Sequence, residues 1–248
     1  MGCEAEGLRE QVAELRRLRS LARYYAGWSD LYLATLTGRA VSAESALVQF
    51  GWLLNAPENK PPMFDRLPTS LLKYEHVARA AMGVAMVLAI KGSPAEATRW
   101  LDAVQYAEGV PPAVADQIFV RRLGVHAAGG QWVQLESALR DRKAKSQDQR
   151  NFLSPAEARL VVVMAMEHLA KAKPADGTVE AARSAATTAM AELVARGDLG
   201  QVLDLAKRYG ASILGDRGFI PAYVKAVQGY EAAREEHRKA GSGDDPTP

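Results

Sequence analysis

The residues able to do chemistry are few and scattered. The histidines are His76, His126, His168 and His237, and none lies within four positions of another histidine or of a cysteine. A zinc site needs ligands at short, paired spacings, which are missing here. Glu167 and His168 are adjacent in a helical stretch, where neighbours point in different directions. A helical metal pair needs a spacing of three or four. Cys3 is the single cysteine, so no disulfide can form within the chain, and no histidine is placed beside it to activate the thiol. P-loop, GxGxxG, GxSxG and HExxH patterns are all absent. Glu235-Glu236 and Asp244-Asp245 are paired carboxylates in polar terminal segments, which do not desolvate an acid. Arg196-Gly197-Asp198 reads as a helix end and a turn. The chain therefore offers no metal ligands, no cofactor site and no catalytic set.

Composition narrows the classes further. Hydrophobic residues make up 48% of 248, which excludes a disordered chain. A net charge of +2 is too balanced to demand a nucleic acid or a membrane surface. The longest apolar run, Ala80 to Ile90, falls short of the roughly 18 residues a spanning helix needs. Glu4, Glu6, Arg9 and Glu10 interrupt any secretory leader. Met1-Gly2-Cys3 invites acylation, but Glu6 stands where that motif wants Ser or Thr. The expectation is a cytoplasmic protein without a membrane segment.

What remains to position functional groups is helix. Leu8, Val12, Leu15, Leu18, Ala22 and Tyr25 recur at helical spacing over 4–26, and a second segment continues or restarts at Trp28. Arg9, Arg16, Arg17, Arg19 and Arg23 decorate the rest of that helix and read as a solvated face. Further helices are expected over 42–55, 70–91, 94–108, 113–128, 131–145, 155–172, 178–196, 199–209 and 221–239, with a disordered tail over 241–248. Prolines 57, 61, 62 and 68 exclude a regular helix from 56–69, while Met63, Phe64 and Leu67 suggest a packed loop. Gly92-Ser93-Pro94-Ala95-Glu96 is a helix end followed by a capping box, and Ser154-Pro155-Ala156-Glu157 repeats the cap.

The turn glycines carry a repeat. Ala43, Leu47, Phe50 and Pro57 stand 5, 9, 12 and 19 positions after Gly38, and Ala97, Leu101, Val104 and Pro111 stand at the same offsets after Gly92. Gly130 gives Leu135 and Leu139 but then Arg142; Gly197 gives Val202, Ala206 and Tyr209. This pattern resembles the tetratricopeptide repeat, with Ala97, Leu101 and Pro111 at family positions. It departs from that family before Gly92, where Ala81, Val84-Ala85 and Leu88 replace its Trp, Leu-Gly and Tyr. The glycines are also spaced 54, 38 and 67 apart rather than a steady 34 or so.

The resemblance implies an all-α fold: antiparallel helix pairs stacked as a right-handed α-solenoid. It would be one repeat domain over 1–240, with sub-blocks 1–57, 70–145 and 154–240. It also implies a concave groove lined by the first helix of each pair. Carried onto this chain, the groove positions are Tyr25, Trp28, Tyr32 and Thr35 before Gly38, and Arg79, Met82, Met86 and Ala89 before Gly92. Tyr25, Trp28 and Tyr32 form an aromatic stripe of the type that anchors interfaces, with Met82 and Met86 as adaptable apolar neighbours. The other reading is that these side chains are ordinary core between helices. The implied partner is another protein or a peptide. The alternatives are an RNA-binding repeat, through the arginines of the first helix with Arg121, Arg122, Arg140, Arg142, Lys143 and Lys145, and an enzyme whose site is assembled from distant helices.

Overall fold

A computed structural model describes residues 2–148, 151–173, 177–210 and 218–241. Among them the secondary structure is helical throughout, without a strand. The chain divides into two compact units, Met1–Gly130 and Gln131–Pro248, so the division falls inside the 70–145 block.

The first unit holds α1 (Gly2–Thr37), α2 (Ala40–Leu53), α3 (Glu75–Ile90), α4 (Pro94–Tyr106) and α5 (Pro112–Ala128). Helix α1 packs on α2 and α3, α2 also meets α3, and α3 packs on α4 and α5. Helix α1 does not break near Gly27, where a restart was open. Gly27 serves instead as a close-approach residue for the ring of Phe50: a Cβ there would stand 2.7 Å from Phe50 Cε1. Gly83 of α3 does the same from the other side, its Cβ position 2.5 Å from Cε2. The Phe50 ring is thus held between two helices that can approach only because neither carries a side chain there. Around it Leu31, Ala46, Ala81, Val84, Trp100 and Leu101 form one buried core.

Helix α3 begins at Glu75 rather than 70, because the chain first makes the 3-10 turns Phe64–Arg66 and Thr69–Leu71. The proline loop before it is packed, as its apolar residues suggested. Phe64 meets Trp100 edge-on at 5.6 Å and carries the Arg99 guanidinium at 4.2 Å.

The glycines used as a ruler all have positive φ: 68° at Gly38, 81° at Gly92, 67° at Gly130 and 79° at Gly197. The apolar residues at offsets 5, 9 and 12 after Gly38 and Gly92 are all buried. Arg142, the misfit after Gly130, instead pairs with Glu157 at 3.3 Å and donates to the Phe152 carbonyl. One cap departs from expectation. Ser93 makes no side-chain cap bond, whereas Ser154 and Glu157 form the full reciprocal box. The Ser93 backbone, at φ −113° and ψ 59°, departs from the extended φ −68° and ψ 159° that aims the Ser154 hydroxyl at its helix, and the Ser93 N–H is engaged upstream. The Ser93 N–H donates to Leu88 O and the Gly92 N–H to Ala89 O, which is the Schellman arrangement closing α3. That N–H is then not free for Glu96, while the Ser154 N–H donates to Glu157 Oε2 at 2.7 Å.

The second unit holds α6 (Trp132–Lys145), α7 (Pro155–Lys171), α8 (Val179–Ala195), α9 (Leu199–Tyr209) and α10 (Phe219–Gly241). Helix α8 is central: α6, α7, α9 and α10 all pack on it. Its Ala181, Ala182, Ala185, Ala186 and Ala189 are buried, as a helix packed between neighbours requires. Pro174 to Asp176, part of the expected break before α8, and the tail over 242–248 lie outside the described residues.

The clamp on Phe50 makes a signed prediction. Gly83→Ala should destabilise the fold by about 1–3 kcal/mol, since overpacking outweighs the gain in helix propensity. Gly124→Ala, on α5 with open space at its Cβ position, should stabilise by about 0.5–1 kcal/mol. Paired urea denaturation curves separate the two, and equal effects of the same sign would remove the clamp.

Candidate functional site

The sequence-proposed residues fall on one face of the first unit, though not all reach its surface. Tyr25 and Tyr32 are 64% and 51% exposed. Trp28 lies between them and is buried, its ring edge-on to Phe50 at 5.6 Å and tilted against Tyr32 at 5.9 Å. Tyr24 completes the aromatic run, 5.3 Å from Tyr25 and 6.3 Å from Trp28. On α3, Arg79 is mostly buried by an ion pair to Glu75 at 2.8 Å and a bond to Gln117 of α5 at 3.2 Å. Met86 is half-buried. Met82 is fully buried and belongs to the core, so it supports the face from behind and offers no surface.

One residue ties the three helices together, and the spacing pattern had not placed it on this face. Arg121 of α5 sets its guanidinium over the Trp28 ring at 5.2 Å, and Nη1 reaches Met86 Sδ at 3.5 Å. Its Nε is buried without a hydrogen-bond partner. Among the described residues no carboxylate pairs with it. Counting the groove offset back from the third turn glycine, Gly130, would have found this helix: thirteen positions before it is Gln117, and Arg121 lies one turn on. Burial pushes the Tyr24 hydroxyl above its ordinary value, against the lowering effect of Arg79.

Four of the other basic residues are engaged within their own unit. Arg122 is taken by Asp102 at 2.7 Å, Arg140 by Glu136, Arg142 by Glu157, and Lys143 lies over Phe152. Among the described residues no cluster of three His, Cys, Asp or Glu side chains could hold a metal. His168 is tilted against Trp132 at 4.8 Å and bonded to Thr178 Oγ1 at 2.8 Å, a packed histidine. A pocket of about 230 Å³ lies between the proline loop and Trp100, lined mainly by Leu54, Pro61, Pro62, Met63 and Leu67. It contains no acid, histidine or hydroxyl. Among the described residues no helix is long and apolar enough to cross a membrane. Comparison with protein-family models, with curated proteins and with solved structures returned no match.

One buried acid stands apart, in the second unit. Glu192 is 3% exposed and accepts from the backbone N–H groups of Leu153 and Phe152. Arg196 donates to the carbonyls of Asn151 and Leu153 beside it. The arrangement pins the loop before α7. Burial raises the Glu192 carboxyl above its ordinary value despite those donors. The folded state therefore holds this proton more tightly than the unfolded chain does. Its contribution is full below the ordinary carboxylate range and is lost as pH rises through the folded value. The stability difference between wild type and Glu192→Gln should shift against wild type across that window. Chemical denaturation at a series of pH values measures it, and a flat difference would refute the assignment.

Proposed function

We propose that the chain is a non-catalytic, tetratricopeptide-like helical scaffold that binds a protein or peptide segment across α1, α3 and α5. The observation that carries this reading is the Arg121 guanidinium. It sits half-buried against Trp28 and Met86 with no carboxylate paired to it among the described residues, and Trp28 in turn meets the exposed ring of Tyr32. A cation held in a partly dry setting over a π face keeps much of its capacity for an anion. The preferred ligand is then a segment carrying an Asp or Glu side chain next to an apolar one. The carboxylate goes to Arg121 and the apolar group to Tyr32 and Met86.

Several features support the repeat architecture. Helix pairs meet across tight turns with a left-handed glycine, and the small and large apolar positions that the repeat needs are buried. Stacking such pairs explains why α3 carries buried residues all round: it has neighbours on several sides. A cytoplasmic setting suits a chain with a single thiol. The dispersal of the basic residues into internal pairs weighs against RNA as the ligand.

The test is selection of a random peptide library against the full chain. Enriched peptides should carry an acid beside an aliphatic or aromatic residue, and their affinity should fall with salt. Arg121→Gln and Tyr32→Ala should each weaken binding about tenfold, roughly 1.4 kcal/mol, in proteins whose melts stay close to wild type. Selected peptides that bind both variants as well as wild type would place the ligand elsewhere.

A further inference from the structure

The first half of α1 stands clear of the body it belongs to. Among the described residues, the first of its side chains tied to another element is Arg19, which lies over Trp52 at 5.1 Å and reaches Glu58 at 3.9 Å. From residue 9 to residue 19 every side chain is exposed. An isolated helical extension of this length is marginal in water. This one also carries apolar side chains in the open: Leu15 is 66% exposed and Leu18 53%, with Val12 and Leu21 beside them.

The exposed side chains form a seam. Taking Leu15 as position a of a heptad, Leu18 is d, Ala22 the next a, and Gln11 and Tyr25 the flanking d positions. The residues with which α1 meets its own body, Tyr24, Gly27, Leu31 and Ala34, fall at c and f. They lie about half a turn away from the seam. The body therefore sits behind the helix and leaves the seam open. In a stacked helical protein the outer face of an end helix is normally polar, because nothing covers it. Here it is apolar.

Charge identifies what covers it. The g edge of the seam carries Glu14, with Glu10 beside it. The e edge carries Arg19, flanked by Arg16 and Arg23. In a parallel, in-register pair each helix sets its g edge against the other's e edge, five positions on. Glu14 then meets Arg19 of the second copy, twice by symmetry. In an antiparallel pair like edges meet, acid against acid and arginine against arginine. The present ties of these residues are long and exposed: Glu14 to Arg17 at 3.9 Å and Arg19 to Glu58 at 3.9 Å. Such pairs hold little and can be redirected.

We infer that two copies of this chain associate through a parallel coiled coil of α1 over Gln11–Tyr25, with Leu15, Leu18 and Ala22 in the seam and Glu14 paired to Arg19 across it. The seam takes Tyr25 out of the ligand face and leaves that face Trp28, Tyr32, Met86 and Arg121. Each site can therefore be altered without the other.

Sedimentation equilibrium of the full chain at micromolar concentration tests the pairing. Twice the monomer mass is expected, falling to the monomer mass for Leu15→Glu/Leu18→Glu with the melt of the body retained. Glu14→Arg or Arg19→Glu alone should weaken the dimer about tenfold or more, and the two together should restore it. In a Cys3→Ser background, Gln11→Cys, at one end of the seam, should cross-link to itself on oxidation, which the parallel register allows and an antiparallel one, with residue 11 opposite the far end, does not. A monomeric wild type, a dimer indifferent to the two glutamates, or single charge reversals that do not compensate each other would each overturn the inference.

Discussion

The first unit depends on how closely two helices can approach the ring of Phe50. Gly27 stands against the Cδ1–Cε1 edge of that ring and Gly83 against the Cε2–Cζ edge, so the spacing of α1 and α3 is set by the width of one aromatic ring. Everything on the candidate face inherits this spacing. Trp28 follows Gly27 in sequence and meets the edge of Phe50, which fixes its indole plane. Arg121 then has a fixed π face to lie on, and Tyr32 a fixed neighbour. A methyl group at either glycine would separate the helices and move a surface that lies outside the core. Interiors packed at this density transmit such shifts instead of absorbing them.

Helix α1 shows where sequence reasoning stops. Its helical period was plain from Leu8 to Tyr25, and the natural inference is that such a stripe faces the core. The structure turns it outward from Val12 to Tyr25. The face that meets the body is written in smaller letters: Gly27, Leu31 and Ala34, with Trp28 at its edge. Periodicity reports that a helix has an apolar side; it does not report how many such sides there are. A helix with two apolar faces is built to be covered twice. The glycines mislead for a related reason. Inside a helical pattern Gly27 reads as a break, because its lower propensity is visible in sequence and the ring against it is not.

The turns were legible in proportion to how local their physics is. Left-handed φ at Gly38, Gly92, Gly130 and Gly197 follows from glycine itself, and the buried offsets follow from one helical turn after another. The cap at Ser93 failed because its outcome depends on the preceding helix. Four identical letters, Ser-Pro-Ala-Glu, give a closed box after an irregular loop and an open one after a Schellman turn. The serine N–H has one hydrogen to give, and at Ser93 it is already given to Leu88. The aromatic residues of the candidate face were found by offset from a glycine. Met82 was found the same way and proved to be core, since the offset fixes a direction along the helix and not the depth of the neighbour opposite it.

Glu192 and Arg121 show how differently one chain treats two charges withdrawn from water. Glu192 has the backbone N–H groups of Leu153 and Phe152 and the charge of Arg196 beside its carboxylate, although its Oε2 is buried without a hydrogen-bond partner. Its burial fastens a loop, and its remaining freedom is to take up a proton. Arg121 has no such shell. It is supported by a quadrupole and a thioether, contacts that hold a guanidinium in place without neutralising it. A charge with its own counter-ion is structural, because a second anion gains little by approaching. A charge held by polarisable surfaces is still available to an anion, and the desolvation cost has already been met by the fold. An incoming carboxylate would meet a cation fixed in position, with its aromatic and thioether walls already built. That difference, more than the presence of an aromatic stripe, is what separates the α1, α3 and α5 face from the packed surfaces around it.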